Sequence, residues 1–99
     1  MLLLRVAAAW PLPGLGLLAL SDGPAPPLAA YPLHAALAVE AVLPGGARRA
    51  ATATVEEVTR ADDDAPARGL LLDFGGAVVL EPGTEIWLSE TGTPAAGGA

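Results

Sequence analysis

The sequence predicts an all-β fold: a small closed barrel of six or seven strands. Three observations carry this expectation. Ten Pro and twelve Gly divide the 99 residues into short pieces. Few of these could hold a helix of ordinary length, about 11 residues, but many suit strands of about 5–6. Apolar residues alternate with others inside several pieces, which is the period of a half-buried strand. Pro-Gly and Gly-Gly pairs, the chemistry of tight turns, stand between them.

The elements follow in chain order. Met1 to Trp10 reads as a first strand, with Leu2, Leu4 and Val6 on one face and Leu3, Arg5 and Ala7 on the other. Pro13-Gly14 marks a turn, and Leu15 to Leu20 a second strand closed by Ser21-Asp22-Gly23-Pro24. Pro24 to Pro32 is expected to be irregular, because its prolines lack backbone donors. Leu28 and Tyr31 are its expected anchors in the core.

Leu33 to Leu43 fits two readings. Its Ala and Leu favour a helix, and Pro32 would suit the first helical position. Alternation also works, with Leu37, Val39, Ala41 and Leu43 on one side. We favour a strand over Leu37 to Leu43, because Pro44-Gly45-Gly46 and the Thr/Val run Ala50 to Thr59 complete a hairpin. Arg60 to Gly69 reads as a charged loop. Leu70 to Phe74, Ala77 to Leu80 and Thr84 to Ser89 read as three short strands, with Trp87 opposite Ile86 and Leu88. Residues 1–90 are expected to form one domain and 91–99 a flexible tail.

Composition narrows the function classes. The chain carries 22 Ala and 17 Leu but no Cys, Lys, Asn or Gln. The absence of Cys excludes disulfides and thiolate metal sites. The Ala, Gly, Pro and Arg bias reads as the product of a GC-rich, bacterial genome. The formal charge is −6, with 11 acidic residues against five Arg. Such a balance disfavours phosphate backbones as the main partner. Any basic face would need Arg5, Arg48, Arg49, Arg60 and Arg68 together. The apolar start places Arg5 after three Leu, the reverse of a signal peptide, and prolines and glycines interrupt it. No stretch reaches the ~18 apolar residues of a membrane helix. A cytoplasmic location without membrane contact is therefore expected.

The order of strands and turns resembles the second domain of translational GTPases such as elongation factor Tu. The features are a hydrophobic first strand, Pro13-Gly14-Leu15-Gly16, and a hairpin of Leu37 to Leu43 with Ala50 to Val58. Gly69 before Leu70-Leu71-Leu72 and Gly83-Thr84-Glu85-Ile86 complete the pattern. The similarity covers about residues 2 to 89. It implies the closed barrel, and a translation- or RNA-linked accessory role as one alternative. It does not imply GTPase activity, since no G-x-x-x-x-G-K-[ST] motif is present.

The residues that could carry chemistry are few. His34 is the only His and has no Cys to activate. Asp62-Asp63-Asp64 lacks the alternate spacing of a calcium loop, and Glu56-Glu57 would point to opposite faces of a strand. We therefore expect no catalytic residue, metal or cofactor. The expected role is a non-enzymatic module that binds a protein partner or forms a homodimer. Trp10, Tyr31, Trp87, Arg48 and Arg49 are its candidate interaction surface. Trp10, beside Pro11 at a strand end, is the aromatic most expected to be exposed.

Overall fold

In the computed structural model, which describes residues 1–22, 25–59, 67–76 and 78–89, the chain is all-β. Its strands are β1 (Leu2–Arg5), β2 (Ala8–Leu12), β3 (Gly16–Leu20), β4 (Ala36–Val42), β5 (Arg48–Val58), β6 (Ala67–Asp73) and β7 (Glu85–Leu88). A 3-10 helix, Pro26–Ala30, precedes β4. The strands form one sheet in the order β1-β7-β4-β5-β6-β3-β2, and every pairing is antiparallel.

This sheet is a curled half-barrel, which corrects the expectation of a closed barrel. The expected first strand is in fact two, β1 and β2, and they stand at opposite ends of the strand order. The chain bends between them at Val6 and Ala7. The Val6 amide donates to the Thr84 carbonyl and the Ala7 amide to the Leu20 carbonyl, both at 2.8 Å. The first half of the run thus belongs to β7 and the second half to β3. The ends of the sheet are joined by the covalent chain and not by a ladder. Val6 also accepts from Gly83 N–H at 2.8 Å, which clamps the bend.

The bend alters the first strand's faces. The register shifts between Leu2 and Leu4, so Leu3 and Leu4, neighbours in sequence, are both buried with Val6. A bulge places successive residues on one side in this way. The expected alternation of Leu2, Leu4 and Val6 against Leu3 fails there for that reason.

Small and large side chains alternate across the concave face. Ala41 pairs with Ile86, Ala53 with Leu72 and Ala19 with Leu70, and all six are fully buried. A tightly curled sheet has little interior, so an alanine beside each large residue lets neighbouring strands fill it without overlap. Part of the alanine content is therefore structural. Leu28 of the 3-10 helix is also fully buried and joins this core. Tyr31, half-buried, packs against it.

Two glycines fit where strands approach closely. A Cβ on Gly16, whose φ is +133°, would run into the Leu72 carbonyl oxygen. A Cβ on Gly69 would meet the Leu20 side chain at 2.5 Å and the Ala19 carbonyl oxygen at 2.6 Å.

The ambiguous segment is a strand over Ala36–Val42, with Leu37, Val39 and Ala41 buried at a period of two. β4 has β5 on one side and β7 on the other. The expected strand Ala77 to Leu80 does not form at residues 78–80, which carry no ladder; Ala77 lies outside the described residues. Its pattern is apolar, but Val79 is exposed and pairs with no strand. The expected loop gives up Ala67, Arg68 and Gly69 to β6. Its Arg60 to Pro66 part, with the Asp run, and the tail from residue 90 lie outside the described residues.

Candidate functional site

Four strands, β1-β7-β4-β5, carry an outward row of Arg5, Glu85, Val42 and Arg48, set by the register. The next row holds Leu2, Trp87, Glu40 and Ala50. Alternation along β7 explains why Trp87 points out: Ile86 beside it is fully buried. Trp87 keeps 37% of its surface exposed.

The polar groups around Trp87 are paired. Arg5 donates to Glu85 Oε2 at 2.9 Å, and Trp87 Nε1 donates to Glu85 Oε1 at 3.1 Å. Arg48 donates to Glu40 Oε1 at 2.8 Å. The Arg5 guanidinium, followed by the Trp87 donor, holds the Glu85 carboxyl below its ordinary pKa. Beside Trp87 lies an open depression of about 570 Å³, lined by Met1, Val42, Arg48, Ala50, Trp87 and Ser89, among others, with Glu40 and Glu85 also on its wall.

The expected surface residues do not form one patch. Trp87 and Arg48 share this depression. Trp10, 46% exposed, is elsewhere, on the outer face of β2 opposite Leu18, which is followed across the sheet by Leu71. Tyr31 is half-buried, and its carbonyl accepts from Arg68 Nη1 at 2.6 Å. Arg48 and Arg49, being adjacent on β5, face opposite sides of the sheet. With Arg5 and Arg48 paired to carboxylates and Arg68 to a carbonyl, the described arginines build no common basic face.

His34 occupies a turn with φ of 69°, the sole positive φ outside glycine among the described residues. Its amide donates to the Val55 carbonyl at 2.6 Å. The Nδ1 ring nitrogen stands 3.2 Å from Glu56 Oε1, while Thr54 donates to Glu56 Oε2 at 2.9 Å. Glu56 thus stands between Thr54 and His34, its carboxylate the common partner of both side chains. No group of three or more possible metal ligands occurs among the described residues. None of their helices is long and apolar enough to cross a membrane.

Sequence reasoning found Trp87 but missed Glu85 and Glu40, which surround it. Glu85 was legible, since residues two apart on a strand share a face. Glu40 required the β4–β7 register, which joins segments more than forty positions apart. Comparison with protein-family models, curated proteins and solved structures finds no match.

Proposed function

We propose that this chain is a non-enzymatic interaction module, which binds a protein partner or a second copy of itself through the outer face around Trp87. One observation carries the reading. Trp87 stands exposed on a strand whose neighbour Ile86 is fully buried, at the rim of an open depression, with its ring oriented by Glu85. Tryptophan is prominent among residues that dominate binding energy. A ring already fixed by a hydrogen bond loses less conformational entropy on docking than a free one.

The test is the elution of the chain, in an extract of its source cells and as purified protein at high concentration. It should elute in a species larger than its own 9.8 kDa. The Trp87→Ala variant should return to the monomer position. Light scattering on the purified protein then separates self-association from a foreign partner. Wild-type elution as a monomer in both settings would overturn the reading, as would a complex indifferent to Trp87→Ala.

A further inference from the structure

We infer that two copies of this chain exchange β1, so that β1 of each completes the sheet of the other beside β7. The inference goes beyond the docking reading, because it concerns which chain supplies the parts of the Trp87 surface.

The bend at Val6 and Ala7 carries it. Met1 to Trp10 contains no Gly, Pro, Asn, Asp or Ser, the residues that make tight turns. Val6, being β-branched, favours extended backbone. Left-handed backbone does not ease the bend either, since His34 is the sole non-glycine with positive φ among the described residues. The local sequence therefore favours one continuous strand. The bend is imposed by what its two halves contact.

Those contacts divide at the hinge. The Val6 amide and carbonyl bond Thr84 and Gly83, whereas the Ala7 amide bonds Leu20. Among the described residues no backbone hydrogen bond runs directly between β1 and β2. The strand ladder of β1 is with β7 alone, 80 positions away at Arg5 and Glu85. A second copy's β1 can form the same ladder and the same Val6 bonds, and bury the same Leu3, Leu4 and Val6, with the hinge straightened. Exchange of an identical element is a low-cost route to a dimer, because its contacts are retained. Release of the bend favours it, as with other short hinges. The covalent link opposes it with an effective concentration on the order of mM.

The exchange reaches the Trp87 surface. Arg5, which holds Glu85, and Met1, on the wall of the depression, both belong to the exchanged segment. In the exchanged pair each Trp87 surface is built from both chains.

The chain has no Cys, so an introduced cysteine pair reports which β1 lies beside which β7. Val6 turns its backbone groups toward residues 83 and 84, which leaves Arg5 and Glu85 as a non-hydrogen-bonded pair, with Cα atoms about 4.5 Å apart. That spacing suits a disulfide. The Arg5→Cys/Glu85→Cys chain is refolded from urea at about 1 mM and at about 10 μM, near and far below the effective concentration of the link. Both samples are diluted before oxidation, so that chance collisions are rare. Non-reducing electrophoresis should show mainly interchain disulfide from the first, and a share about ten-fold smaller from the second. Two glycines inserted between Val6 and Ala7 ease the bend and should lower the interchain share several-fold. If the cysteine chain does not fold, the unmodified chain decides by NMR. Labelled and unlabelled chains refolded together at the higher concentration should show a Leu4–Ile86 contact between unlike chains.

Intrachain disulfide alone at both concentrations would overturn the inference. So would an interchain share unmoved by the inserted glycines, or a Leu4–Ile86 contact confined to single chains. A larger species that is lost in Trp87→Ala, but gives only intrachain disulfide, removes the exchange and leaves the docking reading standing. Interchain disulfide, together with a larger species that Trp87→Ala leaves intact, supports the exchange and removes the docking reading.

Discussion

Trp87 donates its indole N–H to Glu85, two residues earlier on the same face of β7, at 3.1 Å. Arg5, from the strand alongside, holds the other oxygen of that carboxylate at 2.9 Å. An aromatic ring on the outer face is therefore oriented by a charge that is itself held by a neighbouring strand. Orientation of this kind links the fold to the surface it presents.

The first prediction concerns that carboxylate. Its pKa is lowered from 4.5, chiefly by the Arg5 hydrogen bond and then by Trp87. A depressed folded-state value means a contribution to stability that is complete above the unfolded value. It is lost as pH falls through the lower folded one. Titration of the Glu85 carboxyl by carbon NMR should give a midpoint below 4.5. Arg5→Ala should move that midpoint upward, and an unmoved midpoint would show that the pair does not form in solution.

Gly16 supplies the second. A side chain there meets both an adverse φ of +133° and the Leu72 carbonyl. Gly16→Ala should cost about 3 kcal/mol in urea unfolding. Gly14, with φ of +78° but open space around it, should cost only about 1 kcal/mol on the same change. Equal losses at the two sites would mean that β3 and β6 are not in close contact at this point.

A third prediction tests whether the 3-10 helix belongs to the core. Leu28 is fully buried, whereas Leu15 is 61% exposed. Leu28→Ala should cost about 3 kcal/mol, as truncations in packed cores do. Leu15→Ala should stay within about 0.5 kcal/mol. Thermal melts of the two variants decide it.

Much of the fold was legible in local pattern. Leu37, Val39 and Ala41 alternate, and Thr and Val follow Pro44-Gly45-Gly46, so β4 and β5 could be placed. Those features depend on period and turn chemistry, which act within a few residues. The bend at Val6 and Ala7 was not legible. It depends on Thr84 and Leu20, which come from other parts of the chain. Residues 78–80 mislead in the opposite sense, since an apolar pattern there meets no partner strand. The same division holds for the surface. Trp87 could be found by alternation against Ile86, but its neighbour Glu40 follows only from strand register. Trp10 on β2 is placed away from that surface by the strand order, whereas Arg49 faces away from it by alternation alone.

The most direct measurement places a photoreactive benzophenone side chain at Ala50, an exposed position on the wall of the depression beside Trp87. Irradiation in the source cells should give one discrete covalent adduct, at twice the chain's mass for a second copy or at another mass for a foreign protein. Adding Trp87→Ala should remove that adduct, while the variant's melting temperature stays close to wild type. An adduct that persists without Trp87, or none at all from the otherwise wild-type chain, would contradict the assignment of this face as the binding surface.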